Sequence, residues 1–515
     1  MQERPLYELV SPFERVMLTL SLMMGVFMAI LDTTIVDIVV PKMMAPLSTD
    51  LYGVQWVITS YMMAAASGIL LVESLERYVG LRNVFISGLF LFTVASFLSG
   101  QAPSLDWMIA SRSLQGFGEA LIVVSAEALL FSAYPPEKRG LAMGIYGLGV
   151  SFAPALGPTL GGYITEYINW RWVFYINLPV GIINLVLALS FLPNYKPQNA
   201  HGRLNLVSFL FLSSATVFLL ITLSKGQQYG WWNSDFILYT SLVSLFSFLL
   251  FFLSELASKE PLIDYSIFSI REFVVAILVY YLLLGFSMYQ VFYLIPLYYE
   301  NLKGIDTLMT GIHILPLALA IGFSSPIAGV LGDKKGEILS LSIAVLTYLY
   351  AVLFVMPQFN YFTPAWESSL KMILLGIGMG FFFAPITNLA LKKLGEKTTL
   401  GVSLMHYIRF VGGSFGTAIA TNDLQRFMWE SFQKTSEVQS YNAVNQYLLS
   451  LFHLGEERAK AFFYGIEQLY AYSNAFESTF FGAGLWGLLG SLPIFYLLLT
   501  YLIRRARAWS GSTPS

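Results

Sequence analysis

Four carboxylates interrupt otherwise apolar runs: Asp32 and Asp37 in the first run, Glu119 and Glu127 in the fourth. A carboxylate held in hydrocarbon costs about 2.5 kcal/mol or more, so each is a functional candidate by default. Arg112, Gln115 and Glu119 recur at helical spacing and share one face at about 100° per residue. Burial disfavours a charged carboxylate and a neighbouring guanidinium favours it. A conformational change that alters either influence makes the group take up and release a proton. Asp32, Arg112, Glu119 and Glu127 are therefore the candidate proton-coupling set, with Asp32 and Arg112 expected at similar depth and facing one cavity. The plainer alternative is a static Asp32–Arg112 or Glu119–Arg112 pair that holds helices together. In the later half, Arg409 is a cation within an apolar run and needs an anionic or carbonyl partner. His406 stands one turn before it. With Asp37, Gln115 and the aromatic residues Tyr289, Phe292 and Tyr293, these two form the candidate lining of a substrate cavity. Its aromatic part suits stacking on a cationic or aromatic solute.

The elements that position these residues follow from composition. The chain has 515 residues, of which 12% are charged and 56% hydrophobic, with 41 glycines besides. Soluble domains carry about 25% charge, and a water-facing surface cannot be built from this mixture. The solvent for most of the chain is lipid. There are no cysteines, which excludes disulfides, thiolate zinc sites and iron–sulfur clusters. Four histidines, His201, His313, His406 and His453, have no metal-binding spacing, so no metal site is expected. A net charge of -2 without a basic patch argues against nucleic acid. A membrane-embedded enzyme would need a catalytic cluster at one interface, and none is found.

A bilayer core needs about 20 apolar residues per helix. The sequence predicts spans at 16–40, 53–73, 83–101, 107–132, 140–164, 172–192, 204–225, 236–256, 273–298, 308–332, 338–358, 368–393, 400–424 and 476–503. No small-residue cleavage site follows the first run, which reads as a retained helix. Arg77, Arg82, Lys138, Arg139, Lys334, Lys335, Lys392, Lys393 and Lys397 then fall on the side of the termini, against Lys42, Arg171, Lys225 and Lys303 in the opposite short loops. The positive-inside rule makes the first side cytoplasmic. The long polar segment 425–475 is expected outside. The pairs Gly80/Gly336, Gly116/Gly376 and Gly140/Gly401 each stand about 260 residues apart at matching places in the span map. This predicts an all-α polytopic membrane protein of two pseudo-symmetric six-helix bundles, 1–192 and 261–515, with two inserted helices in 193–260.

Several segments resemble the major facilitator superfamily, and within it the 14-helix drug:proton antiporters of the EmrB/QacA type, nearest the EmrB branch. Leu31-Asp32-Thr-Thr34-Ile-Val36-Asp37-Ile-Val-Val-Pro41 resembles the signature of the first helix, with Asp37 where the group has asparagine. Arg112-Ser-Leu-Gln115-Gly116 resembles the fourth-helix motif, whose arginine is linked to proton transfer. Pro154, Gly157, Pro158, Gly161 and Gly162 match the antiporter motif of the fifth helix, which the resemblance makes a hinge and seal. Trp170-Arg171-Trp172 through Asn177-Leu-Pro179 and Ser403 through Gly413 are nearest EmrB. The loop motif after the second helix has two copies. Gly329, Asp333 and Gly336 preserve it, whereas the first keeps Gly80 but carries Glu73 and Arg77 at its glycine and aspartate positions. The resemblance implies a bacterial inner-membrane antiporter that exports hydrophobic or amphipathic compounds, driven by the proton gradient without a cofactor. A dedicated lipid-like cargo, a fatty acid or lysolipid, is the nearest alternative. It also implies a periplasmic membrane-fusion adaptor of the EmrA type and an outer-membrane channel as partners.

Overall fold

The computed structural model describes residues 5–194, 205–438 and 456–510. Side chains at some helical positions, Asp37, Pro154 and Pro158 among them, lie outside the described ones. Long helices follow one another along the chain: α1 Pro12–Met43, α2 Trp56–Val79, α3 Leu81–Gly100, α4 Leu105–Ala133, α5 Arg139–Tyr167, α6 Trp172–Phe191, α7 Leu206–Tyr229, α8 Asp235–Ala257, α9 Arg271–Leu302, α10 Thr307–Lys335, α11 Glu337–Gln358, α12 Ala365–Leu391, α13 Thr398–Val438 and α14 Glu456–Ser510. Among the described residues 12 helices are long and apolar enough to cross a membrane, and α5 and α13 complete the set of fourteen.

Local chemistry sets the ends. Ser11 and Glu14 form a capping box at the start of α1. The Ser104 and Asp306 side chains cap α4 and α10. At the other end, Gly80 closes α2 with φ 79° and Gly336 closes α10 with φ 91°. Only glycine adopts that backbone without strain, so the two loop motifs share one stop signal even where their acidic residues differ.

The second helix of each predicted repeat packs on the fifth of the other: α2 against α13, and α10 against α5. The α5–α10 contact is backbone-close. A Cβ on Gly144 would stand 2.7 Å from the Ser325 carbonyl oxygen, so any larger residue forces the helices apart. α7 packs on α8 and also touches α2 and α13. Lys225 of α7 donates to Gln55 Oε1 at 2.7 Å. α9 widens into a π-helical turn at Tyr280–Met288, where Gly285 lies against Gly412 of α13.

One expectation needs revision. The segment 425–475 reads as polar connection, yet helix continues through Val438 and resumes at Glu456. Leu424, Met428 and Phe432 recur every fourth residue along α13 and meet Tyr464, Leu469 and Tyr472 of α14 across a cleft. An apolar stripe within a polar composition is enough to pair two helices.

Candidate functional site

Five helices converge on Asp32. The Arg112 guanidinium donates to Asp32 Oδ2 at 2.5 Å and to Gln115 Oε1 at 2.7 Å. The other carboxylate oxygen accepts from Gln115 Nε2 at 2.8 Å and from Asn177 Nδ2 at 2.7 Å. Gln115 Nε2 also reaches Ser96 Oγ at 2.8 Å. Tyr61 lays its ring 4.0 Å from the guanidinium carbon, a cation–π contact. Asp32 is 0% exposed and Arg112 1%. α1, α2, α3, α4 and α6 thus supply one polar cluster inside one half of the molecule. Of the two pairings open at the sequence level, Asp32–Arg112 forms. Protonating Asp32 turns an acceptor into a donor, and the donors aimed at it then lose a partner.

A second polar cluster lies between the halves. Glu127 Oε2 of α4 meets His406 Nε2 of α13 at 2.5 Å, with the Tyr146 hydroxyl 3.5 Å from the same nitrogen. These residues and Arg409 line a small cavity of ≈ 20 Å³, room for about one water. Glu119 leaves Oε2 without a hydrogen-bond partner and stands near Tyr61.

The remaining candidates disperse. Gln115 is consumed by Asp32, Arg112 and Ser96. Tyr289 packs on Gly413 and contacts Phe292 ring to ring. Tyr293 accepts from Thr421 Oγ1 at 3.1 Å and faces the ≈ 680 Å³ cleft between α9, α13 and α14. Asp32 and Arg112 bind each other in the interior rather than facing either cavity. Gly157 and Gly161 abut Thr34 and Ile35 of α1, and Gly162 faces Leu308 of α10. Sequence reasoning did not single out Ser96, Tyr61 or Asn177. Asn177 stood within a quoted motif, and its amide in an apolar run was the available signal.

On the Lys/Arg-rich face, Asp333 beside Gly329 and Gly336 performs a helix-capping task. Its carboxylate accepts from the Gly140 and Leu141 amides at 2.8 and 2.9 Å, at the N-terminus of α5. In the first copy, Glu73 pairs with Arg77 on its own helix, and Glu76 reaches Thr399 at the start of α13. Asp333→Asn should loosen the α5–α10 seal. Losing about 1 kcal/mol of capping shifts an opening equilibrium about fivefold. A cysteine at Met143, in this cysteine-free chain, should then react about fivefold faster with an impermeant maleimide added on that face. An unchanged rate would refute the capping role.

Near Glu73, Asp264 in the α8–α9 loop meets Lys397 at 2.6 Å and accepts from Ser266. Partial burial acts to raise this carboxyl, but the Lys397 and Ser266 donors outweigh it and hold it below the usual carboxylate range. A depressed folded value stabilises above the unfolded value of about 3.9 and is lost as pH falls through the lower folded value. Asp264→Asn should therefore cost under about 1 kcal/mol at neutral pH, screened as exposed pairs are. The difference from the parent should stay flat from pH 8 to 5 in thermal unfolding.

Comparison with known proteins identifies the family and the fold. The profile of the Major Facilitator Superfamily matches residues 22–417. The multidrug export protein EmrB of Haemophilus influenzae is 29% identical over 457 residues, covering 87% of this chain and 88% of that protein. The fatty acid resistance protein FarB of Neisseria gonorrhoeae is 29% identical over 427 residues, covering 80% of each. Among solved structures, the proton:xylose symporter XylE superposes with a TM-score of 0.61 at 14% identity, over 95% of this chain and 96% of that one. At that identity the likeness concerns the fold alone.

Proposed function

The chain belongs to the Major Facilitator Superfamily, a membrane transporter rather than an enzyme, and from that premise we propose that it is a proton-coupled exporter of hydrophobic or amphipathic compounds. It works by alternating access in a bacterial inner membrane, with both termini cytoplasmic. The imposed proton gradient drives it, without a bound cofactor. Asp32 carries the proton, Arg112 modulates it, and α5 seals and bends. The observation that carries this reading is the fully buried Asp32–Arg112 pair, whose donors must rearrange when Asp32 is protonated. The name of the EmrB relative, a multidrug export protein, supports an export role. FarB favours a second reading, a dedicated lipid-like cargo such as a fatty acid or lysolipid. The helical extensions of α13 and α14 offer the surface that a periplasmic membrane-fusion adaptor, itself joined to an outer-membrane channel, needs.

The test is reconstitution into liposomes with an imposed pH gradient and a panel of cationic, anionic and lipid-like dyes. Dye movement should follow the gradient and stop when an ionophore collapses it. Equal movement with the gradient collapsed rejects proton coupling.

A further inference from the structure

Among the described residues two arginines are buried, Arg112 and Arg409, and they are treated very differently. Arg112 has a carboxylate, an amide oxygen and an aromatic ring. Arg409 of α13 is 9% exposed and forms no ion pair among the described residues, and its Nε has no hydrogen-bond partner. Glu127 is engaged by His406. Glu119 and Glu127 act on Arg409 only through space. A buried guanidinium whose counter-charges reach it only through space, with no direct hydrogen bond to them, is incompletely satisfied, and such charges mark sites where a ligand can complete them.

We infer that Arg409, with His406, is the seat for the oxyanion head of an amphipathic cargo. Both residues line the cavity between the halves, one helical turn apart. His406 gives its Nε2 edge to Glu127, which fixes the ring and leaves Nδ1 without a partner. With Glu127 protonated and donating to His406 Nε2, the ring carries its proton on Nδ1. A carboxylate can then accept from Arg409 with one oxygen and from His406 Nδ1–H with the other. Met143, Val150, Phe383 and Met405 supply the apolar lining that an alkyl or aromatic tail requires. At ≈ 20 Å³ the cavity is too small for a whole cargo molecule, so cargo enters when the halves part. This inference deepens the export reading by naming the cargo's charge, and rests on it.

The probes are dodecanoate and dodecyltrimethylammonium, which have similar tails and opposite charge. Binding to the full chain is measured at equilibrium in phosphatidylcholine nanodiscs, against empty discs. The parent should prefer dodecanoate. Arg409→Gln should weaken dodecanoate at least tenfold and leave the cation unchanged or tighter. Should that variant fail to fold, losing both probes, Arg409→Lys decides. It keeps the charge without the fork and should weaken dodecanoate several-fold while sparing the cation. Unchanged dodecanoate binding in the folded Gln variant, or in the Lys variant where that one decides, overturns the inference. So does a parent that prefers the cation. Phosphatidylglycerol discs separate the sources. If they abolish dodecanoate binding, a lipid headgroup fills the site and cargo recognition is overturned; retained binding supports it. Because no gradient is applied, binding that survives a failed transport assay faults the export reading and leaves this site standing.

Discussion

Replacing Asp32 by asparagine is expected to abolish gradient-driven export, by about 100-fold or more, while leaving a folded membrane protein. Asparagine has the shape of aspartate but cannot take up a proton. Its amide nitrogen would also meet one of the donors now supplied by Arg112, Gln115 and Asn177, so the cluster is held in one arrangement. Exchange of bound dye across the membrane without a gradient should persist at a measurable rate, because binding between the halves does not use Asp32. Gradient-driven export at the parent rate in proteoliposomes would remove Asp32 from the coupling role.

Arg112→Gln is expected to have the second largest effect, this time on stability. Removing one member of a fully buried ion pair leaves an uncompensated charge and costs about 3–5 kcal/mol. Here the Tyr61 ring loses its cation in the same stroke. The double variant Asp32→Asn with Arg112→Gln has no orphaned charge and should recover about half of that loss or more. The cycle over the four proteins measures the coupling directly. Additive losses in urea or thermal unfolding would mean that the pair contributes little, and that a route through Glu119 needs to be sought.

What the sequence disclosed followed from charge and period. An apolar run of membrane length forms its helix almost regardless of context, and the predicted runs coincide with α1–α12 to within a few residues. Asp32, Arg112 and Gln115 stand out because charge and amide groups are expensive in such runs. Ser96, Tyr61 and Asn177 were harder. Uncharged polar residues are tolerated in lipid-facing helices, and only the folded arrangement brings residues this far apart in sequence to one carboxylate. The Glu127–His406 contact joins the two halves, so neither partner's own helix announces it. The stripe of Leu424, Met428 and Phe432 was legible by spacing but masked by the polar average around it. The π-helical turn of α9 has no local sequence signal.

α14 runs unbroken over 55 residues, about 80 Å at 1.5 Å per residue, whereas a bilayer with its headgroups is about 40–45 Å thick. With α13 packed against it, the length in excess of a bilayer would act as a stiff lever. A small tilt of the surrounding helices swings its far end through a much larger arc. Under the proposed alternating-access cycle, a protein clasping that end would feel the movement of the helices mechanically.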